Sequence, residues 1–459
     1  MNRPAQVPPL ASQGCSEQKQ AARAAERLSQ LIACKTVSIE SGGERKEFER
    51  MQLLLSEFYP QIFKSMDLVR IKELTLVLRW QGLNQGRPPI VLMAHQDVVE
   101  ASGSWKYPPF AGVIEDGCVW GRGAIDDKGC LCALLEAVES LLTEGFVPER
   151  DIYLVMSHNE EPMGDGAAEV TNWLREQGIE PVMVLDEGGA VVDKVLPGVR
   201  GLTAMIGTGE KGYLNVRFKA ASRGGHASTP PKSSPLGRLA SLINHIEKKP
   251  PFPARLNPVI RDLFRRMAPQ MSGLLKFVFG NLWLTAPILP RLLASMGGEA
   301  RALVMTTCAF TMARGSGAPN VLPETAEVTA NLRIAVHQST QEVMDQLQLI
   351  AAKYDVECEK IYGHEPTAGG LLDSREAEIL IEAIGKIYKN VNVAPYLMLA
   401  ASDSHHFSSL ARNVFKFTPF HLTSDLRGGI HGLDEKLPID ELERAIEFYK
   451  TLIRLVPSS

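Results

Sequence analysis

Between residues 69 and 200, short apolar runs rich in β-branched residues alternate with segments of helical period. Residues 74–79, 89–94, 151–156 and 181–185 have the pattern of strands, and 129–142 and 166–177 that of helices. Residues 20–33 read as an amphipathic helix ahead of them. Such alternation predicts an α/β fold, a sheet covered by helices. Near Gly207 the texture changes. Residues 212–220 alternate strictly, as a half-buried strand does, and run into the glycine-rich loop Ser222-Arg-Gly-Gly-His-Ala-Ser-Thr-Pro230. Residues 236–246 and 342–353 then read as helices and 327–334 as a strand, which together predict a compact α+β unit. Helical period returns at 376–388 and 441–455.

This pattern predicts a first domain in two segments, 1–207 and 366–459, split by an inserted unit at 208–365. The middle of the insert, 255–310, reads as an extra helical elaboration. A length of 459 residues agrees with two or three domains. Residues 277–290 are uncharged but broken by Gly280, Asn281, Pro287 and Pro290, and are expected to form a buried or lid helix region, the alternative being a hydrophobic surface that meets acyl chains, a partner subunit or a membrane. No stretch reaches the 18 apolar residues of a membrane span, so no stable membrane anchor is expected.

Composition narrows the function classes. A net charge of -4 argues against a nucleic-acid partner. Seven cysteines, an odd number in so long a chain, make a poor disulfide framework, and Cys130 and Cys132 are expected to be inert buried thiols. Met1-Asn-Arg-Pro4 is followed by polar residues with no apolar signal region, so the expected location is the cytoplasm. No Gly-x-Ser-x-Gly elbow stands near the strand ends, which disfavours a serine hydrolase.

Candidate chemistry sits just past the strands, where open α/β sheets bind ligands. His95 and Asp97 close the run Val91-Leu-Met-Ala-His-Gln-Asp-Val98, Glu160 and Glu161 follow the third strand, and Asp186 and Glu187 the fourth. Asp126 and Asp127 follow the glycine-rich Gly121-Arg-Gly-Ala-Ile125, and His431 comes late in the chain. Histidines and carboxylates in such company suit a metal site with an open position for water and a carboxylate base beside it, which means hydrolysis. Asp97 is placed to orient His95. Asp127 reads equally well as a helix N-cap, and His158 as a loop or core histidine. Spacing alone ranks neither Glu160 against Glu161 nor Asp186 against Glu187.

These segments resemble the M20 metallopeptidase and aminoacylase family. The resemblance is carried by His95-Gln-Asp-Val98, Gly121-Arg-Gly-Ala-Ile-Asp-Asp-Lys-Gly129, His158-Asn-Glu-Glu-Pro-Met-Gly-Asp-Gly166, Leu185-Asp-Glu-Gly188, Gly225-His226, Pro319-Asn-Val-Leu-Pro323, Asn331-Leu-Arg333 and Ile430-His-Gly-Leu-Asp-Glu435. It is closest to the carboxypeptidase S and aminoacylase-1 branch. It implies a catalytic domain with a mixed central sheet and helices on both faces, plus a lid that forms a homodimer. It also implies two Zn²⁺ per subunit, with Mn²⁺ or Co²⁺ as substitutes. His95, Asp126, Glu161, Glu187 and His431 would bind them, Asp126 bridging both and followed by a cis peptide bond. Glu160 would be the general base, and Asp97 would support His95. His226 would stabilise the oxyanion, reaching across the dimer, with Asn320 and Arg333 facing substrate. The reaction implied is hydrolysis of an amide next to a C-terminal amino acid, carboxypeptidase- or dipeptidase-like. The alternative is an N-acyl-amino-acid amidohydrolase, with a long acyl chain among the options.

One departure bears on substrate. The branch carries an arginine that binds the substrate carboxylate, and in Ala400-Ala-Ser-Asp-Ser-His-His-Phe407 that place is taken by His405. A histidine is neither forked nor permanently charged. A binding protein without turnover would have shown a missing ligand or base, and none is missing.

Overall fold

The computed structural model describes residues 15–38, 44–367 and 370–456. The Met1-Asn-Arg-Pro4 segment lies outside them. Strand Ile90–His95 is buried along its whole length. Ile90, Leu92 and Ala94 enter one apolar core, and Val91 and Met93 enter another on the opposite face. A strand covered on both sides needs apolar residues at every position, which is why this run shows no alternation. Ile152–Ser157 and Met183–Asp186 flank it, both parallel to it, and Asn413–Lys416 continues the parallel set. Thr75–Trp80 and Asp67–Ile71 extend the sheet antiparallel on one side. Leu202–Glu210, with Asn392–Met398 parallel beside it and Val191–Asp193 antiparallel, completes nine strands. Helices Cys15–Ile32, Lys128–Thr143 and Ile439–Leu455 supply Leu28, Leu131 and Leu442 to one core, and Gly166–Glu176 supplies Val170 to the other. The sheet is therefore mixed and covered on both faces.

Three strands end one residue past their apolar runs, at His95, Ser157 and Asp186. Those last residues are polar, so apolar content does not count them, yet they are buried members of the ladder.

The chain leaves the large sheet at Glu210 and enters a second sheet at Gly212. That sheet is antiparallel, in the order Thr307–Arg314, Thr325–Ile334, Gly212–Ala221, Glu357–His364. Leu214, Val216, Phe218 and Ala220 form its core with residues of helices Pro235–Lys248 and Thr340–Ala352. Lys211, buried at the crossing, donates to the carbonyls of Ala302 and Met305 at 2.9 and 2.8 Å.

Residues 258–304 form a run of short helices. Val259, Ile260, Leu263 and Phe264 join the core of the large sheet. The burial expected over 277–290 holds only for Phe279, Leu289 and Pro290, while Phe277, Trp283, Leu284 and Ile288 are exposed. Short single-layer helices cannot cover both of their apolar sides. No described helix is long and apolar enough to cross a membrane. Cys130 and Cys132 are buried free thiols, and burial pushes Cys132 up to about 12.

Candidate metal centre

The parallel strands Ile90–His95, Ile152–Ser157 and Met183–Asp186 deliver their C-terminal ends to one rim. His95 closes the first of them, Glu160 and Glu161 follow the second, and Glu187 follows the third. His95 Nε2 lies 3.0 Å from Asp126 Oδ1. Its Nδ1 lies 3.0 Å from the Asp97 carbonyl and 3.3 Å from the Asp97 carboxylate. The other Asp126 oxygen lies 3.2 Å from His431 Nε2, which in turn lies 3.0 Å from Glu161 Oε2. Asp126 thus presents its two oxygens to different imidazoles. The Asp126–Asp127 peptide bond is cis.

Asp97 does more than face His95. Its carboxylate accepts the Ser38 hydroxyl and the backbone amides of Glu160 and Glu161, at 3.1 and 3.0 Å. It therefore clamps the loop that brings two neighbouring glutamates to one place. Burial would raise its pKa, but His95, Ser38 and the Glu161 amide hold it below the usual carboxylate range. Asp127 is not a side-chain cap. Its Oδ2 accepts the His95 amide at 3.1 Å, and its Oδ1 is buried with no hydrogen-bond partner. His158, half-buried, hydrogen-bonds Thr75 Oγ1 at 2.7 Å through Nδ1.

Negative charge is concentrated in this cup. Burial pushes Glu160 well above its ordinary value, and Asp403, Glu187 and Glu161 add to the shift. Glu187 is raised by burial and by Asp126, Asp186 and Asp127. Asp126 is the exception, because His431 and His95 outweigh its burial and hold it low. Asp126 and Glu161 raise His431 to about 10. His95, Asp126 and Glu161 bring ligand atoms within 4.8 Å of one another, and Glu161 Oε1 is buried without a partner. Mixed imidazole and carboxylate donors around a carboxylate with two presented oxygens fit a pair of divalent cations.

Two residues of the cup carried no role in the sequence analysis. Glu435, fully buried, accepts the amides of Gly123, Ile125 and Asp126 at 2.9, 2.8 and 3.2 Å and pairs with Arg122 at 2.7 Å. Arg122 also donates to the Gly432 carbonyl at 2.8 Å. Together they fasten the loop of Asp126 to the loop of His431. Asp403, also buried, has its pKa pushed up to about 7 by burial and by Asp186 and Asp97. An acid four residues after His431 has no local signature of burial, so only the fold reveals it.

The substrate-side residues fall into two places. Arg333, Tyr213 and His364 are cross-strand neighbours on the small sheet. The Arg333 guanidinium lies over Tyr213, which stacks on His364, which stacks on His405 at 4.3 Å, and His406 follows at 3.8 Å. Burial lowers the pKa of all three histidines, His406 to about 3. Glu210, His364 and His405 form a second group with ligand atoms within 4.8 Å. The two rings are nearly parallel at 19°, so their lone pairs do not converge, and the Lys416 ammonium already lies 3.3 Å from Glu210. His226 and Asn320 stand apart, exposed on a two-stranded ribbon of Gly225–His226 and Val321–Leu322. The ribbon is tied by Ala227 N–H to Asn320 O at 3.0 Å, and His226 Nδ1 lies 2.7 Å from Ser228 Oγ.

Comparison with known proteins places this geometry. The model of "Peptidase family M20/M25/M40" matches residues 91–455. A probable carboxypeptidase S-like protein from Dictyostelium discoideum is 34% identical, over 94% of this chain and 84% of its own length. An N-fatty-acyl-amino acid synthase/hydrolase from Xenopus tropicalis is 33% identical, over 95% of this chain and 86% of its own. The crystal structure of an M20 family metallo-carboxypeptidase from Sulfolobus solfataricus has the same fold. It superposes with a TM-score of 0.68 at 18% identity, over 95% of this chain and 99% of that one.

Proposed function

The chain belongs to peptidase family M20/M25/M40 and is a metal-dependent hydrolase of that family; we propose that it cleaves the amide bond next to a C-terminal amino acid. The observation that carries this reading is Asp126 held between His95 and His431, with the backbone of Glu160 fastened to Asp97 in the same cup, near His95 and Glu187. His95, Asp126, Glu161, Glu187 and His431 would hold two metal ions, and zinc suits their mixed donors best. Bound there, the ions supply Lewis acidity to the scissile carbonyl and to water. Glu160 takes a proton from the attacking water as the oxygen–carbon bond forms. It delivers that proton to the amide nitrogen as the carbon–nitrogen bond breaks.

His226 and Asn320 we assign to the oxyanion and the substrate of a partner subunit. The exposed ribbon and the engagement of His226 Nδ1 by Ser228, which leaves Nε2 outward, support a homodimer. Arg333 is the permanent cation of the histidine stack, and its Nη1 is buried without a hydrogen-bond partner. We assign it, with His405, to the substrate carboxylate, which compensates for the missing arginine at 405. Free thiols at the six described cysteines support a reducing compartment, the cytoplasm.

A second reading, hydrolysis of N-acyl amino acids, is supported by a cavity of about 470 Å³ beside His431 and Gly188. Val192, Val195, Leu196, Met205, Leu263 and Leu303 line it, a wall suited to an apolar acyl group. The test is a screen of the metal-loaded protein on dipeptides, N-acetyl and long-chain N-acyl amino acids, each with a C-terminally amidated control. Cleavage should vanish on amidation. Equal cleavage of amidated substrates would overturn the carboxylate assignment, and no cleavage in any class would overturn the function.

A further inference from the structure

The helices between residues 273 and 296 leave an unusually apolar face uncovered. Leu274, Phe277, Trp283, Leu284, Ile288, Leu292 and Met296 are all exposed, Leu274 at 74% and Trp283 at 82%. Leu292 and Met296, four residues apart on helix Leu289–Met296, share one side of it, and Ile288 immediately precedes that helix. Phe277 and Trp283 of this face also line a groove of about 1080 Å³. Phe277, Leu282 and Trp283 give it an apolar wall, and Arg261, Arg265 and Lys276 line it as well.

The charge of this region is opposite to that of the chain. From Leu263 to Gly298 there is no aspartate or glutamate, while Arg265, Arg266, Lys276 and Arg291 all occur there. Asp262, just ahead, pairs with Arg265 and Arg266. Lys276 and Arg291 are exposed among the apolar residues. The whole chain carries a net charge of -4. A cationic apolar face on an acidic protein is not explained by solubility. A second copy docking on the same face would bring like charges together.

We propose that this face docks reversibly on the surface of an anionic phospholipid bilayer. The apolar side chains enter the interface, with Trp283 at headgroup level, and Lys276 and Arg291 meet the lipid phosphates. No helix spans the bilayer. The helices that supply Leu263 and Leu303 to the cavity beside the metal centre, Pro258–Met267 and Gly298–Val304, precede and follow those of the face in the chain. This places the hydrolase at a surface where amphiphilic substrates concentrate, though the docking itself does not depend on which amide is cleaved.

The test is co-sedimentation of the full-length protein with vesicles of phosphatidylcholine alone or mixed with phosphatidylglycerol. Binding should be at least about tenfold tighter to the mixed vesicles, since each basic side chain near the surface contributes roughly fivefold. Phe277→Ser with Trp283→Ser should abolish binding to both. Lys276→Glu with Arg291→Glu should abolish the preference for the anionic lipid. Far-UV circular dichroism and hydrolysis of a short soluble substrate should be unchanged in both variants, because all four residues are exposed. The proposal is overturned if the native protein ignores both vesicles, or if the serine variant binds as the native protein does. It is equally overturned if the native protein ignores vesicles but self-associates through these residues, dissociating when they become serine.

Discussion

The metal cup and the ribbon of His226 are built on opposite terms. In the cup the supporting polar groups are each held by several others. Asp97 holds Ser38 and two amides, Glu435 holds three amides and a guanidinium, and Asp126 stands between two imidazoles. In the ribbon, His226 is exposed and touches Ser228, and Asn320 beside it is exposed as well. A preorganised cup can hold cations at fixed separations, because Asp97 supports His95 and the Glu161 loop and Glu435 supports the loop of Asp126. An exposed ribbon has stability to spare and function to offer, since little in its own chain depends on it.

The largest effect that tests this contrast is on turnover. Glu160→Gln should lower kcat/KM by about a thousandfold or more while metal content, read by elemental analysis, stays unchanged. Native-like turnover would remove Glu160 from the chemistry. Next, Glu435→Ala should cost roughly 3–5 kcal/mol, because Arg122 is left buried without its partner. The same variant should lose metal, since the loops of Asp126 and His431 come apart. Retained metal with a lowered melting temperature would mean that Glu435 supports the fold and not the cup.

His226→Ala should lower kcat about a hundredfold and leave the melting temperature within a degree or two. Mixed dimers of a His226→Ala subunit with a Glu160→Ala subunit should regain activity in one composite site. No recovery in confirmed heterodimers would place His226 in its own chain's site or in none. If His226→Ala instead unfolds the protein, the ribbon is structural and the contrast with the cup fails.

The smallest effect belongs to the histidine stack. Burial holds His406 near 3 against an ordinary value of 6.5, so the unfolded chain binds more protons between those limits. Its contribution to stability is present above pH 6.5 and is lost as pH falls from there towards 3. Denaturation curves at pH 7 and pH 5 should show a smaller loss for His406→Phe than for the native protein. An identical loss in both would mean that His406 is already solvated.

Much of the cup was legible before the fold was known. His95, Glu160, Glu161 and Glu187 sit just past runs that could only be buried strands, and parallel strands deliver their ends to one rim. The motif around His431 was legible as a resemblance, but its placement against Asp126 was not. Glu435 was silent, because its partners Gly123 and Ile125 lie 312 and 310 residues earlier and its burial depends on them. The uncharged run at 277–290 pointed to burial, and the fold exposes half of its large side chains. Hydrophobicity states what a residue prefers, and the available covering decides whether it gets it.

By itself the chain determined its strands, its family and the residue types at the metal centre, because period and motif are local and survive without coordinates. Only the tertiary structure decided that Asp126 faces two imidazoles, that Asp97 clamps both glutamates, and that His405 joins a stack beginning at Arg333. Those arrangements join segments far apart in sequence, where no local pattern constrains which side chains meet.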